Sequence, residues 1–154
     1  MTSIDGENSG FLKPLGIFGV IASGLDFEQL RDQMYEIVDQ IPKQERPKIA
    51  EYLQAGAIVF AIMEVTTDVL EGRFAHVVGG SSVLTDGRYY WRRDTAAYVQ
   101  HYGVSLPEEF LANGKRRNWM PPVVEPEDVL RFDSFLMKSG ARLRRRPPSQ
   151  NGLS

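Results

Sequence analysis

Cysteine does not occur among the 154 residues of this chain. Its absence excludes disulfide bonds, thiol nucleophiles and metal sites with thiolate ligands, and it is typical of a reducing compartment. Apolar residues make up 42% of the chain and charged residues 25%, a balance found in folded domains rather than disordered chains. The length is that of one domain with room for a hydrophobic core.

Long hydrophobic runs are also missing. The apolar runs over residues 15–22 and 55–65 are far shorter than the roughly 20 residues that a membrane-spanning helix needs. Only Lys13 precedes the first run, and Asp5 and Glu7 lie upstream of it, so the basic start of a signal peptide is not seen. We therefore expect a cytoplasmic protein without a membrane partner.

Positive charge is scarce in the chain as a whole, which has a net charge of −2. Residues 1–77 carry 12 acids and 6 bases, a balance of −6, whereas residues 78–154 carry 8 acids and 12 bases, a balance of +4. An acidic chain is a poor candidate for nonspecific nucleic-acid binding. The basic C-terminal half, with runs at residues 115–117 and 144–146, leaves a nucleic-acid-binding accessory protein as an alternative.

Hydrophobic spacing and capping residues predict helices on both sides of a group of strands. Clustered strands favour an α+β fold over an alternating α/β fold. We expect a single domain over residues 11–140, with an antiparallel or mixed sheet and helices packed on one side, between a flexible leader (1–10) and a basic disordered tail (141–154). Helices are expected over residues 26–41, 47–56, 95–102, 105–114 and 125–137, and strands over residues 57–65, 74–78 and 82–92.

The centre of the sheet is expected to be a hairpin. Asp86-Gly87 between two β-prone arms predicts a two-residue type I′ turn flanked by Thr85 and Arg88. Gly103 is expected to end the helix over residues 95–102 in the left-handed conformation, and Asp94 is expected to cap its start. The run over residues 57–65 shows no alternation and predicts a strand buried on both faces.

Alternation along the second arm of the hairpin separates its side chains into two faces. Tyr89, Trp91 and Arg93 share one face, which we expect to point to the core. Arg88, Tyr90 and Arg92 share the other face, which we expect to point to solvent. Tyrosine and arginine are enriched at the energetic centres of protein interfaces, so this face is a candidate contact surface.

Patterns of known catalytic sites are absent from the sequence. Ser81 and Ser82 follow Gly79-Gly80 without a Gly-x-Ser-x-Gly motif, and this stretch is expected to begin a strand or form a bulge. No catalytic residue, cofactor or metal ion is expected. A metal-assisted hydrolase remains an alternative, and its candidate residues are Glu64, Asp68, His76 and His101.

Residues 50–112 resemble a group of small bacterial proteins that is itself similar to the immunity proteins of polymorphic toxin systems. The resemblance is carried by residues 52–57, 66–70, 79–87, 89–94, 98–99, 102–104 and 106–111. It implies a cytoplasmic protein-binding module that binds and neutralises a bacterial toxin domain, and it assigns no catalytic residue. The acidic N-terminal half would suit the basic surface of a nuclease toxin. The candidate contact residues are Glu64, Asp68, Arg88, Tyr90 and Arg92.

Overall fold

A four-stranded sheet organises the computed structural model, which describes residues 12–20 and 28–138. The expected leader and tail therefore lie outside the described residues. None of the described helices is long and apolar enough to cross a membrane. In chain order the elements are β1 (Lys13–Pro14), α1 (Ile17–Val20), α2 (Arg31–Tyr35), a 3₁₀ turn (Lys43–Glu45), α3 (Arg46–Gln54), β2 (Ala57–Phe60), β3 (Val65–Thr66), β4 (Val77–Val78), β5 (Val83–Thr85), β6 (Tyr89–Arg92), α4 (Thr95–Tyr102), α5 (Glu108–Arg116) and α6 (Pro126–Lys138).

The sheet is mixed, with the strand order β1-β6-β5-β2. Strand β1 runs parallel to β6, whereas β5 is antiparallel to both β2 and β6. Strands β3 and β4 form a separate antiparallel ribbon. The predicted α+β class with a mixed sheet is confirmed.

Both faces of the sheet are covered. Leu84 and Trp91 pair across β5 and β6 and point into the larger core, where the Trp91 indole N–H donates to the Leu53 carbonyl at 3.1 Å. Tyr90 points to the opposite face and packs in a second core cluster with Phe132 and Leu136 of α6. The arrangement therefore differs from the expected one-sided packing, because α6 lies on the other face from α3 and α4.

Helix α4 follows the sequence prediction, and Gly103 ends it with φ +61° and ψ +38°. A side chain at Gly103 would collide with the buried guanidinium of Arg46. The Gly103 carbonyl accepts hydrogen bonds from the backbone N–H groups of Gln40 and Ile41 at 2.9 and 3.0 Å. The glycine therefore permits both the left-handed end of the helix and close contact with the segment after α2.

The helix expected over residues 26–41 is much shorter in the structure. In the described part of this segment α2 ends at Tyr35, and Asp39 has a φ of +60°. The Asp39 N–H donates to the Tyr102 carbonyl at 2.7 Å, at the end of α4. Tertiary hydrogen bonds have replaced the helical ones, a competition that local spacing does not reveal.

Strand β2 is also shorter than predicted. It ends at Phe60, and Ile58 is 47% exposed although Val59 is buried. The exposure of Ile58 shows that the prediction of burial on both faces is wrong, and the strand lies at the edge of the sheet.

The connection between β5 and β6 is longer than a two-residue turn. Thr85 pairs with Tyr90 and not with Arg88. Gly87 has a positive φ of +97°, whereas the φ of Asp86 is not positive. The Asp86 carboxylate accepts the backbone N–H groups of Arg88 and Tyr89, both at 2.9 Å. The predicted type I′ turn is wrong because this side chain supports a wider loop.

Candidate functional site

The five residues predicted to contact a partner do not form one surface. Glu64 and Arg88 are exposed, and Asp68 is partly buried. Tyr90 and Arg92 are only 7% and 8% exposed. Arg88 is exposed as predicted. The prediction of solvent exposure is wrong for Tyr90, because α6 covers it, and for Arg92, because it is buried in an ion pair with Asp94.

Arg92 has a structural role in a buried ion pair. Its Nη2 donates to Asp94 Oδ2 at 2.7 Å and its Nε donates to Oδ1 at 3.1 Å. The Thr66 hydroxyl donates to the same carboxylate at 2.9 Å. Burial raises the pKa of the Asp94 carboxyl, and the Arg92 guanidinium acts in the opposite direction. The Asp94 side chain does not cap α4 as expected, because it is committed to these two partners.

Asp68 holds a loop against α4. Its carboxylate accepts the backbone N–H groups of Leu70 and Arg73 at 2.8 and 2.6 Å, and it also accepts the Tyr102 hydroxyl. The Tyr98 hydroxyl accepts the Val69 N–H at 3.1 Å. The Asp68 carboxylate thus accepts bonds from its own loop and from α4, which gives it a structural role.

The histidines do not join the carboxylates in a metal site. His76 and His101 are both exposed, and the His101 ring lies 5.6 Å from that of Phe74. Among the described residues, no three histidine or acidic side chains come together as metal ligands would. The geometry therefore gives the hydrolase alternative no assembled centre in this part of the chain.

The ribbon of β3 and β4 presents an apolar outer face. Val65 and Val78 are register partners and lie on the same side of the ribbon, 54% and 74% exposed. Met63, two residues before Val65, is 90% exposed. Thr66 and Val77 form the neighbouring pair, whose side chains point to the opposite side, where Thr66 bonds Asp94. We call Met63, Val65 and Val78 the ribbon surface.

Several hydrogen bonds hold the ribbon surface in place. The Gly79 N–H donates to the Glu64 carbonyl at 2.7 Å, which extends the ribbon by one residue. The Ser81 hydroxyl donates to the Glu64 carboxylate at 2.8 Å. The Ser82 hydroxyl accepts a hydrogen bond from the Ile62 backbone N–H at 2.8 Å. The two serines thus fix the start of β5 and the neighbouring chain, in keeping with the structural role predicted for them.

Gly80 allows the ribbon to approach the main body closely. A side chain at this position would collide with Thr66, and the Gly80 carbonyl accepts the Asp94 N–H at 3.0 Å. The ribbon is therefore joined to the buried ion pair through both backbone and side-chain bonds. Its exposed apolar face belongs to an ordered element.

The chain matches none of the protein-family models, curated proteins or solved structures with which it was compared.

Sequence reasoning identified Glu64 but missed its apolar neighbours. Met63 and Val65 belong to an apolar run that Glu64 interrupts, and such runs usually point to the core. Their exposure follows from the end of β2 at Phe60, after which the chain leaves the sheet. Glu64 within this run is the signal that could have placed the segment at the surface.

Proposed function

We propose that this protein is a cytoplasmic protein-binding module, of the immunity type, that binds and neutralises a bacterial toxin domain through the ribbon surface. The observation that carries the proposal is the exposed pair Val65 and Val78 with Met63 beside it. Apolar side chains clustered on an ordered surface are characteristic of protein interfaces.

The fixed geometry of the ribbon supports a binding role. Thr66, Ser81 and Ser82 hold the ribbon from behind and from its ends. A surface that is ordered before association loses little conformational entropy when a partner binds. The apolar face of the ribbon is therefore suited to be the centre of an interface.

Charge supports the toxin as the class of partner. Glu64 is an exposed acidic residue next to Val65 in the chain, and residues 1–77 carry a net charge of −6. A nuclease toxin has a basic active-site surface, and complementary charge speeds association and selects the partner. The resemblance of residues 50–112 to an immunity-like group favours the same class. A complex of standard size would bury roughly 1,600 Å², so the ribbon surface would form only its centre.

Capture experiments with matched variants test the contact surface. The wild-type chain, Val78→Lys and Leu130→Lys are used as bait in lysate from the source cell. Leu130 is the control because it is 70% exposed on α6, close to the 74% of Val78. We expect the wild type and Leu130→Lys to retain one protein at near-equal stoichiometry. We expect Val78→Lys to lose it while its free energy of unfolding changes by less than about 1 kcal/mol.

Growth measurements test the immunity function itself. The captured protein is expressed alone, then with the wild-type chain, and then with Val78→Lys. We expect growth arrest that the wild type relieves and Val78→Lys does not. A captured protein that has no effect on growth would contradict toxin neutralisation. Equal capture by Val78→Lys and the wild type would contradict the proposal that the ribbon surface is the contact surface. Nucleic acid that is released from the bait at high salt would favour the nucleic-acid alternative instead.

A further inference from the structure

A cleft with several arginines lies at the far end of β5 from the ribbon surface. The ribbon precedes β5 in the chain, whereas the cleft is built on the connection that follows it. Its volume is about 330 Å³. The lining residues are Tyr52, Asp86, Gly87, Arg88, Tyr89, Phe110, Asn113, Arg116, Arg117 and Pro122.

The arginines reach the cleft from two separate segments. Arg88 comes from the β5–β6 connection, whereas Arg116 and Arg117 come from the end of α5. Arg117 uses its Nε to donate to the Met120 carbonyl at 3.2 Å, and Arg116 donates to the Asn113 side chain. The structure records no ion pair for these three arginines with any described residue.

One carboxylate lines the cleft, and it is already occupied. Asp86 accepts the Tyr52 hydroxyl at 2.6 Å in addition to the two backbone N–H groups of its own loop. Burial raises the pKa of Tyr52, so this hydroxyl remains a donor at neutral pH. Three arginines and one carboxylate give the lining a net charge of 3 − 1 = +2.

Helix electrostatics explains only part of this arrangement. Cations are favoured in the last turn of a helix, which accounts for Arg116 and Arg117 at the end of α5. It does not account for Arg88, which belongs to another segment and is exposed. Three arginines from two segments therefore line one cleft, and a cleft with this excess of positive charge is suited to an anion.

We propose that this cleft binds the phosphate group of a small phosphate monoester. A monoester carries a charge of about −2 at neutral pH, which matches the lining. Arginine donates hydrogen bonds in a planar fork that fits phosphate oxygens. The volume lies at the lower end of the range for small-ligand pockets, and the apolar parts of Tyr89, Phe110 and Pro122 fit a compact organic group.

Calorimetric titration of the full chain tests the site. Phenyl phosphate, phenyl sulfate and inorganic phosphate are titrated at about pH 7.5, above the second phosphate pKa of about 6. Phenyl sulfate has nearly the same shape with one charge fewer. We expect phenyl phosphate to bind with a Kd below about 1 mM and phenyl sulfate to bind about tenfold more weakly. Inorganic phosphate should bind more weakly than phenyl phosphate, because it leaves the apolar part of the cleft unfilled.

Arginine variants locate the binding. Arg88→Ala and Arg117→Ala should each weaken phenyl phosphate binding by about tenfold or more, since each removes a charge-assisted hydrogen bond. Arg131→Ala, on α6, is the matched control and should bind like the wild type. Amide NMR shifts on titration should concentrate at Gly87, Arg88 and Asn113.

Three results would overturn the proposal. One is the absence of binding by either phosphate compound at about 10 mM. Another is an unchanged Kd in both Arg88→Ala and Arg117→Ala, and the third is equal affinity for the sulfate and the phosphate. If the phosphates fail to bind and Arg88→Ala instead loses the captured protein, the cleft belongs to a protein contact. The Val78→Lys variant should bind phenyl phosphate normally, so this test is independent of the proposed function.

Discussion

Two arginines lie at the two ends of strand β6, one buried and the other exposed. Arg92, the last residue of the strand, is 8% exposed and forms two hydrogen bonds with the buried carboxylate of Asp94. Arg88, just before the strand, is exposed and lines the cleft without an ion pair among the described residues. The same residue type, four positions apart, thus supports the fold at one end and is left available for a ligand at the other.

The difference arises from the carboxylate that each end supplies. At the Arg92 end, the Asp94 carboxylate is turned toward the arginine and also accepts the Thr66 hydroxyl. At the Arg88 end, Asp86 has its oxygens filled by Tyr52 and by backbone N–H groups. Arg92 therefore stabilises the fold, because a carboxylate is buried beside it and accepts its hydrogen bonds. Arg88 forms no such pair, because the carboxylate of Asp86 accepts hydrogen bonds from other groups.

The largest effect should come from breaking the buried pair. Asp94→Ala removes the buried carboxylate to which Arg92 donates two hydrogen bonds, so we expect the free energy of unfolding to fall by about 3–5 kcal/mol. Urea unfolding followed by circular dichroism measures it. The double variant Arg92→Met/Asp94→Ala should lose less than Asp94→Ala alone, because the buried guanidinium is removed together with the carboxylate. A loss below about 1 kcal/mol in Asp94→Ala would show that the pair does not stabilise this end.

An intermediate effect should appear at alkaline pH. Burial raises the pKa of Tyr98, so the folded state keeps a proton that the unfolded state releases above about pH 10. The unfolded state then binds fewer protons, and stability falls as pH rises, by up to about 1.4 kcal/mol per pH unit for this residue. Below about pH 10 the contribution is constant.

Urea unfolding between about pH 8 and pH 11.5 measures this dependence in the wild type and in Tyr98→Phe. The variant loses the bond to the Val69 N–H at every pH, so its stability starts lower. Its further decline above about pH 10 should be shallower than that of the wild type. Parallel curves would mean that Tyr98 ionises equally in the folded and unfolded states.

The smallest effect should come from Arg88→Ala. Because the Arg88 side chain is exposed and unpaired among the described residues, we expect the free energy of unfolding to change by no more than about 0.5 kcal/mol. Thermal and urea unfolding of Arg88→Ala and of Arg92→Ala compare the loss of unfolding free energy in the two variants directly. Similar destabilisation in the two variants would remove the distinction between the two ends.

Local sequence signals predicted the elements that local chemistry controls. Gly103 predicted the end of α4 because the left-handed conformation suits glycine, and α4 itself was predicted with its observed bounds. Asp86 and Gly87 lie in the connection between two paired strands, but the turn type predicted from them is wrong. The clustering of strands predicted the α+β class.

Alternation failed where distant parts of the chain decide burial. Tyr90 and Arg92 share a face, and the two-fold period of β6 was read correctly. The sequence could not show that α6, about forty residues later, covers that face. Nor could it show that the apolar Val65 and Val78 would pair in a ribbon outside the main sheet.

By itself the sequence determined the end of α4 at Gly103, because the left-handed conformation depends on a few neighbouring residues. It also determined the charge of each half and the absence of thiol chemistry. Only the tertiary structure decided which arginine is buried, which carboxylate is occupied and which valines face solvent. Burial and pairing depend on contacts between residues far apart in the chain, and a local pattern does not contain them.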